Sequence, residues 1–172
     1  MRVLAAILAG GAARRFGSDK AHALYKGKRL IDCVASSLRA QSDDLVVCGR
    51  EEPGFACLPD RPEAGLGPLG GLSAALHHGR AQGFTHVLSA GVDVPNLPQT
   101  IAQVLAGEGA AIVQSQPVVG LWPAALEPDL DAYLAEGQRA LYGFGERVNA
   151  RQIAFNPTLM NINEPSDLGE QQ

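Results

Sequence analysis

The chain has 172 residues with 46% hydrophobic and 19% charged side chains, and it includes 20 glycines and 11 prolines. This length and composition indicate about one globular domain, so we expect residues 1–172 to fold as a single domain and exclude a collagen, a coiled coil or a disordered acidic tail. The net charge of −4 disfavours a general nucleic-acid binder, because such proteins are usually basic.

The predicted elements begin with a strand at residues 2–8. Its nearly continuous apolar run is typical of a strand that is covered on both faces of a parallel sheet. A loop that contains three glycines follows at 9–20. Beyond it, strands and helices alternate: helix 29–41, strand 44–49, strand 55–58, helix 68–82, strand 85–90, helix 99–106 and strand 110–114.

The alternation changes after residue 115. We predict a strand at 117–122, helices at 126–136 and 138–147, a strand near 151–155 and a short terminal helix. Together the elements predict a Rossmann-like, three-layer α/β/α domain, with a mostly parallel sheet that is mixed at one edge.

Three loops of this fold are candidate ligand sites. Ligands of open α/β sheets bind beyond the carboxyl ends of the strands, so the loops after the first, third and fourth strands are expected to face one crevice. Each loop carries a polar residue among glycines or prolines. The loops and their polar residues are 9–20 with Lys20, 59–67 with Asp60, and 91–97 with Asp93.

The cysteines and histidines indicate neither a disulfide framework nor a metal site. The three cysteines are widely spaced without a C-x-x-C pair, and the four histidines have no metal-binding spacing. The stretch before Arg14 is shorter than a secretory signal of ~15–30 residues, so we favour a strand there. No apolar run approaches the ~18–20 residues that span a bilayer. We therefore expect a cytoplasmic protein that binds neither membranes nor nucleic acids.

The basic side chains are concentrated near one loop. Residues 14–29 contain six of the fourteen lysines and arginines and one acidic residue, so this segment carries a charge of +5 and the rest of the chain −9. A basic segment on an acidic protein suits a small, strongly anionic ligand. A solvated basic loop is the ordinary alternative.

Residues 8–20 have the sequence L-A-G-G-A-A-R-R-F-G-S-D-K, in which a strand leads into a glycine turn and then into basic side chains. Glycines let backbone N–H groups approach phosphate oxygens, while arginine offers forked donors and lysine a point charge. The run matches neither G-x-x-x-x-G-K-[ST] nor G-x-G-x-x-G. We favour phosphate binding over the alternative of a tight turn with surface arginines.

The same run resembles the L-A-G-G-x-x-x-R-x-G-x-D-K signature of nucleotidyltransferases, specifically of the molybdenum cofactor guanylyltransferases. Further segments are similar to that family's motifs and follow in the same order. They are G-P-L-G-G-L at 67–72, V-D-V-P at 92–95, P-V-V-G-L-W at 117–122 with E-G-Q-R at 136–139, and M-N-I-N-E-P-S-D-L at 160–168. The resemblance covers almost the whole chain and implies the nucleotide-diphospho-sugar-transferase-like form of the α/β fold.

The resemblance also implies roles for individual residues. Lys20 and Arg15 are implied to hold the β- and γ-phosphates and, with Asp93, to be catalytic. Asp93 is the implied ligand of Mg²⁺, an ion that needs only one or two carboxylates beside phosphate oxygens and water. The implied nucleotide-binding residues are Leu8, Ala9, Gly10, Gly11, Lys20, Cys48, Asp60 and Asp93.

Three positions depart from the family pattern, and one of them, Glu164 in place of the threonine of the terminal T-P, changes little. The family has a cysteine before the metal-binding aspartate, where this chain has Gly91 or Val92. It often has a nucleotide-contacting asparagine after the second strand, where Cys48 stands, and sulfur is a poor hydrogen-bond partner. For Asp60 an Asx-type turn is the ordinary alternative. In contact with a nucleotide, its carboxylate can accept from N1–H and N2–H₂ of guanine.

Other features are assigned to structure rather than to chemistry. Residues 65–70 form a literal G-x-G-x-x-G, but no strand leads directly into it, so we interpret it as a close-approach loop that opens a helix. Trp122 is expected in the core, with the lining of a second substrate's pocket as the alternative. Solvated helix charges are the expected role of Arg139, Arg147 and Arg151, with contact to a second anionic substrate as the alternative.

The resemblance implies a function: transfer of GMP from GTP to the phosphate of molybdenum-bearing molybdopterin, forming molybdenum guanine dinucleotide and pyrophosphate. It implies transient contacts with cofactor-donating and molybdoenzyme-maturation proteins. The residues alone reach only Mg²⁺-dependent handling of a nucleoside triphosphate. The alternatives are a related nucleotidyltransferase that uses CTP or acts on a sugar phosphate, and a catalytically silent GTP-binding protein that escorts the cofactor.

Overall fold

A computed structural model describes residues 1–10, 19–155 and 159–169. Its strands are β1 (Val3–Leu8), β2 (Leu24–Tyr25), β3 (Lys28–Arg29), β4 (Asp44–Cys48), β5 (Ala56–Leu58), β6 (His86–Gly91), β7 (Ala111–Val113), β8 (Gln116–Pro123) and β9 (Arg151–Ile153). Its α-helices are α1 (Leu30–Arg39), α2 (Pro68–Ala81), α3 (Ile101–Leu105), α4 (Glu127–Ala135) and α5 (Leu141–Arg147). Short 3₁₀ turns span Lys20–His22, Ala124–Leu126 and Pro165–Asp167. Within the described ranges, no helix combines the length and the apolar character that crossing a membrane requires.

Seven strands form one sheet in the order β5-β4-β1-β6-β8-β7-β9. The four strands from β5 to β6 are parallel, β8 is antiparallel to both of its neighbours, and β7 pairs in parallel with β9. After β1 the chain first adds β4 and β5 on one side of β1, and it later adds β6 on the opposite side. Because the direction in which strands are added reverses at β1, a crevice opens at the carboxyl ends of β1 and β6. The mostly parallel sheet with a mixed edge confirms the predicted fold class.

The central strand β1 shows why the domain has three layers. Successive side chains of a strand point to opposite faces of the sheet. Val3 and Ile7 pack on the side of α1 and α3, whereas Leu4 and Leu8 pack on the side of α2, α4 and α5. Because helices cover both faces, every residue of β1 is buried, which confirms the strand predicted from its continuous apolar run.

A short hairpin that the sequence did not indicate follows the turn with Lys20. In it, β2 and β3 pair antiparallel with Leu24 opposite Arg29. The two residues that connect them, Lys26 and Gly27, have φ angles of 51° and 80°. A two-residue hairpin turn with two positive φ values matches the twist of its strands. Each strand has only two residues and the turn is Lys-Gly rather than Asn-Gly, so the usual hairpin pattern is missing.

The C-terminal segment returns to the crevice. Ile162 is buried in a small hydrophobic cluster that is separate from the two larger ones and includes Tyr25 of the hairpin. The N–H of Ile162 donates to the backbone carbonyl of Asp93 at 2.8 Å. The predicted terminal helix is a single 3₁₀ turn at Pro165–Asp167. This return ties the end of the chain to the loop after β6.

Candidate active site

A cavity of about 260 Å³ lies at the carboxyl ends of β1 and β6. Leu8 and Ala9 line it from the end of β1, Gly91 and Asp93 line it from the end of β6, and Lys20 lines it from the first 3₁₀ turn. The loops after β1 and β6, which were predicted as the first and fourth strands, therefore meet. They do so because parallel neighbours end at the same edge of the sheet.

Asp93 is half-buried beside Lys20 in this cavity. Burial raises the pKa of the Asp93 carboxyl group, and the charge of Lys20 opposes that rise. A Cβ atom on Gly91 would lie 2.7 Å from Oδ1 of Asp93, so the carboxylate occupies space that a larger residue at position 91 would need. One carboxylate in an open cavity fits Mg²⁺, which completes its shell with phosphate oxygens and water.

A second cavity, of about 220 Å³, lies at the ends of β4 and β5. Gly10, Gly49 and Asp60 line it, and Arg50 lines both cavities. The backbones of Gly10 and Gly49 are in contact, since a Cβ on Gly49 would lie 2.6 Å from Cα of Gly10. Gly49 also has a φ of +89°. Close approach and positive φ together require glycine there.

Glycines surround the side chain of Asp60. Cβ atoms placed on Gly10, Gly49 and Gly70 would lie 3.1, 2.8 and 3.1 Å from its side-chain atoms. Oδ1 of Asp60 is buried and has no hydrogen-bond partner among the described residues. Burial raises the pKa of this carboxyl group. A carboxyl group that is buried and short of donors suits a ligand that supplies N–H groups.

Cys48 lies in the core beside the second cavity. Its side chain is fully buried between β1 and α2, and burial raises the pKa of the thiol to about 12. Its carbonyl accepts a hydrogen bond from the N–H of Ala9 at 2.9 Å. In the part of the chain that the structure describes, Cys48 lines neither cavity. This arrangement gives the position a role in joining β1 to β4 and offers no support for a side-chain contact with a nucleotide.

An ion-pair network holds the turn that carries Lys20. Arg50 donates to both carboxylate oxygens of Asp19, at 2.8 and 2.7 Å, and these bonds lower the pKa of Asp19 to about 2. Arg50 also pairs with Glu52 at 3.1 Å, and His22 contacts Glu52 at 2.7 Å. Because Asp19 and His22 flank Lys20, the network fastens the turn to the segment after β4.

The structure brings most of the predicted site residues to the two cavities. Those that line a cavity are Leu8, Ala9, Lys20, Asp93, Gly10 and Asp60. Gly11 and Arg15 lie outside the described residues. Arg50 was not predicted, although it follows a glycine at a strand end, which is the signal that singled out the other loops. Gly49 and Gly91 were missed too, because their importance depends on contacts that are distant along the chain.

The remaining predictions concern side chains outside the cavities. Trp122 is fully buried, as predicted. The three arginines considered for a second substrate make local contacts: Arg139 and Arg151 donate to backbone carbonyls, and Arg147 pairs with Glu136 at 2.6 Å. These contacts are structural, and they favour the interpretation of the arginines as surface charges.

One histidine lies closer to acidic groups than the spacing along the chain suggests. Ligand atoms of His77, Glu127 and Asp131 all lie within 4.8 Å of one another, because α2 packs against α4. His77 pairs with both carboxylates, and Arg80 pairs with Glu127 at 3.4 Å. A cationic neighbour opposes metal binding, so we interpret this group as an ion-pair cluster between two helices.

The sequence matches the model of the MobA-like NTP transferase domain over residues 5–150. A molybdenum cofactor guanylyltransferase of Cereibacter sphaeroides is 37% identical, in a match that covers 98% of this chain and 94% of that protein. A probable molybdenum cofactor guanylyltransferase of Deinococcus radiodurans is 38% identical, and the match covers 96% of this chain and 92% of that protein. Both matches extend over nearly the full length of the chain.

Solved structures share the fold. Molybdopterin-guanine dinucleotide biosynthesis protein A from Archaeoglobus fulgidus matches with a TM-score of 0.75 and 23% identity, over 96% of this chain and 94% of that chain. The 2-C-methyl-D-erythritol 4-phosphate cytidylyltransferase from Thermus thermophilus matches with a TM-score of 0.72 and 18% identity, over 98% of this chain and 95% of that chain. These similarities confirm the predicted nucleotide-diphospho-sugar-transferase-like fold.

Proposed function

The chain belongs to the MobA-like NTP transferase family, and from that membership we propose that it transfers GMP from GTP to the phosphate of molybdenum-bearing molybdopterin. The reaction forms molybdenum guanine dinucleotide and releases pyrophosphate. Beside the full-length similarity to guanylyltransferases, one observation carries the proposal: the cavity with Lys20 and Asp93 adjoins the cavity with Asp60.

The nucleotide spans both cavities in this proposal. Its triphosphate occupies the cavity with Lys20 and Asp93, where a cationic side chain faces the phosphates. Its base occupies the cavity with Asp60. Arg50 lines both cavities. The ribose, which connects the base to the triphosphate, therefore lies beside Arg50, where the two cavities meet.

Asp60 selects guanine over other bases in this proposal. Its carboxylate accepts from N1–H and N2–H₂ of guanine, which are adjacent donors on one edge of the base. Adenine presents an unprotonated N1 at that edge, so a carboxylate there faces an acceptor and lacks a hydrogen bond. The buried oxygen without a partner makes this discrimination strong, because a desolvated group without a bond loses its full hydration.

The first loop supplies the contacts with phosphate. Lys20 holds the β- and γ-phosphates, and the strand end at Leu8 and Ala9 lines the same cavity. Gly10 lines the cavity with Asp60, so its backbone lies beside the base in this proposal. The N–H of Ala9 already donates to the core, so we assign this residue to the shape of the loop. Gly11 and Arg15 keep the roles that the family resemblance implies, as part of the proposal.

Asp93 holds the metal ion in this proposal, and Lys20 lies beside it to balance the charge of the phosphates. When bound there, Mg²⁺ supplies neutralisation of charge on the phosphate oxygens. The site fits this ion because its carboxylate is half-buried, opens into the cavity and leaves room for phosphate oxygens and water.

The chemistry requires positioning more than acid–base catalysis. A phosphate oxygen of molybdopterin forms the new bond to the α-phosphorus of GTP, the bond to the leaving pyrophosphate breaks, and the oxygen of that bond departs with its electron pair. The attacking phosphate is already an anion, so no general base is needed. Lys20 stabilises charge on the leaving group, while Asp60 holds the base and thereby the reacting phosphorus in line.

The alternatives differ in substrate or in catalysis. The structural similarity to a cytidylyltransferase concerns the fold, whereas the relatives at 37 and 38% identity are guanylyltransferases. A silent escort protein has no need for a carboxylate beside Lys20 in the phosphate cavity. Transient contacts with cofactor-donating and molybdoenzyme-maturation proteins, and a cytoplasmic location, are further parts of this proposal.

Release of pyrophosphate by the purified protein tests the proposal. The assay contains Mg²⁺, molybdopterin and one nucleoside triphosphate, and it compares GTP with CTP and ATP. We expect release with GTP that depends on molybdopterin, and a loss of orders of magnitude in Asp93→Asn with the fold intact. Equal turnover of CTP would support the related transferase, and GTP binding without pyrophosphate release would support the escort.

A further inference from the structure

Arg50 lies where the two cavities meet. It is the second residue after β4 and lines both the cavity with Lys20 and Asp93 and the cavity with Asp60. A nucleotide with its triphosphate in one cavity and its base in the other passes Arg50 with its ribose and α-phosphate. Arg50 is therefore placed next to the phosphorus at which the proposed reaction occurs.

The guanidinium group of Arg50 is fixed by the chain itself. It makes two parallel hydrogen bonds to Asp19, at 2.8 and 2.7 Å, and an ion pair with Glu52 at 3.1 Å. Glu52 is only 2% exposed and is held in turn by His22 at 2.7 Å. A guanidinium that is already fixed in one plane loses little conformational entropy when it binds an anion.

Arg50 keeps a donor for a ligand despite these contacts. A guanidinium has five N–H donors. Nη1 and Nη2 each donate one hydrogen bond to Asp19, and Nη2 also lies 3.1 Å from Glu52. Nε is buried without a partner among the described residues, so the donor that remains for a ligand is the second N–H of Nη1. The Arg50 side chain is 27% exposed, and its exposed part faces the cavities that it lines. A phosphate oxygen at the boundary can therefore approach the group without displacing Asp19.

Of the residues at the end of β4, Arg50 is the one whose cationic side chain lines both cavities. The residue two positions earlier, Cys48, is fully buried with its thiol in the core. Gly49 between them has positive φ and turns the chain, so that Arg50 is directed along the cavities. A contact from this strand end to the nucleotide thus comes from residue 50 rather than from residue 48.

We propose that Arg50 binds the α-phosphate of the guanine nucleotide and is a nucleotide-contacting residue of this chain. The inference rests on the proposed function. A charge-assisted hydrogen bond from Arg50 to an α-phosphate oxygen orients the phosphorus for attack and stabilises the charge that develops on that oxygen.

A purely positioning role for Arg50 makes a different prediction. Through Asp19, Arg50 fastens the turn that carries Lys20, and Lys20 is assigned to the β- and γ-phosphates. If Arg50 acted only in this way, its removal would weaken binding of GTP but would leave GMP, which lacks those phosphates, unaffected. A direct contact with the α-phosphate instead affects GMP and spares guanosine, which has no phosphate.

Calorimetric titration of guanosine, GMP and GTP without Mg²⁺ separates these roles. The proteins are the unmodified chain, Arg50→Gln, Arg50→Lys and the control Arg29→Gln. Arg29 pairs with the same Glu52, at 3.3 Å, but lines neither cavity. We expect Arg50→Gln to weaken binding of GMP and GTP by about 10- to 100-fold and that of guanosine by less than about twofold. We expect Arg50→Lys to bind GMP and GTP more weakly than the unmodified chain but more tightly than Arg50→Gln. We expect Arg29→Gln to bind all three ligands normally.

Each other outcome overturns a stated part of the account. Loss of GTP binding alone would make Arg50 a positioning residue for Lys20, and equal loss for guanosine would give it a role in the base cavity. Normal GMP binding in Arg50→Gln would overturn this inference while the proposed function stands. If the unmodified chain bound no guanine nucleotide, the proposed function would fail as well. Arg50→Lys keeps a cation beside Glu52, so it provides the test should Arg50→Gln unfold.

Discussion

Asp60 is held among glycines, and its carboxyl group remains available to a ligand. The neighbouring glycines leave no side chain between this group and the second cavity. Burial raises the pKa of Asp60, so the carboxylate stands in a place where its charge is poorly solvated. If the base binds here as proposed, we expect its hydrogen-bonding pattern, rather than its size, to be the basis for selection.

Replacing Asp60 by asparagine should change the choice of base. Asp60→Asn removes the acceptor charge and adds an N–H₂ group, which suits N1 of adenine better than N1–H of guanine. We expect kcat/KM to fall by about 10- to 100-fold for GTP and to fall less or rise for ATP. Rates with GTP, ATP and CTP provide the measurement. Equal losses for all three would place base recognition elsewhere.

The same variant should be more stable than the unmodified chain at neutral pH. Because the folded-state pKa of Asp60 is raised, the folded protein binds the proton more tightly than the unfolded chain does. The contribution of Asp60 to stability therefore falls as pH rises from the ordinary value of ~3.9 through the raised folded-state pKa. We expect Asp60→Asn to raise Tm at pH 7 and to lose that advantage below pH ~4. A variant that is less stable at pH 7 would contradict this account.

Gly91 should matter because of its contact with Asp93. Gly91→Ala places a Cβ 2.7 Å from Oδ1 of Asp93 and must displace the carboxylate. Since a misplacement of ~1 Å at a reacting centre can cost about 100-fold, we expect a 10- to 100-fold lower kcat/KM and a higher Mg²⁺ requirement.

Gly79→Ala is the matched control for this prediction. Its added Cβ would lie 3.4 Å from Val87, and neither Gly79 nor Val87 lines either cavity. We expect normal rates and a normal Mg²⁺ titration for this variant. If Gly91→Ala behaved in the same way, the position of the Asp93 carboxylate would not be important for activity.

Individual site residues were predictable to different degrees. Lys20, Asp60 and Asp93 stand out because each is a polar residue after a strand, among glycines or prolines. Gly91 does not stand out, because its importance arises from a contact that only the folded loop creates. For Cys48 the position in the strand could be predicted, but the side to which its thiol points depends on the register of β4 against β1.

At the level of elements, apolar runs and their periodicity predicted the positions of the helices, which packing against the sheet then stabilises. Helix α1, predicted at 29–41, spans Leu30–Arg39, and α2, predicted at 68–82, spans Pro68–Ala81. Helix α5 begins at Leu141 rather than at 138, because Ala140 before it has extended backbone angles. The hairpin of β2 and β3 could not be predicted, because two-residue strands have no measurable periodicity.

A buried polar pair links β6 to its antiparallel neighbour β8. Nε1 of Trp122 donates to Oγ of Ser89 at 3.0 Å, and that hydroxyl donates to the carbonyl of Val118 at 2.8 Å. Ser89→Ala leaves the buried indole N–H without this partner, so we expect a loss of ~1–3 kcal/mol in the free energy of unfolding.

Urea denaturation of a double-mutant cycle measures this effect. Adding Trp122→Phe to Ser89→Ala removes both partners, so the combined loss should be smaller than the sum of the two single losses. Additive losses would mean that the bond contributes nothing to the stability of this strand pair.

At the scale of the whole molecule, the strand order creates the site. With β1 between β4 and β6, the loops after these strands and after β5 lie at one edge of the sheet. The carboxylates Asp60 and Asp93 therefore reach adjacent cavities, although 33 positions separate them along the chain. The crevice was predictable from the α/β pattern. Its division into two cavities was not, because which residues line each cavity depends on contacts between segments that are distant along the chain.

The fate of the phosphates of GTP tests the central claim most directly. GTP labelled with ³²P at the α-position, and in a parallel reaction at the γ-position, is incubated with the purified chain, Mg²⁺ and molybdopterin. We expect the α-label to enter the dinucleotide product and the γ-label to leave as pyrophosphate, and we expect Asp93→Asn to abolish both. Release of the γ-label as orthophosphate, or no transfer of the α-label to the pterin, would contradict it.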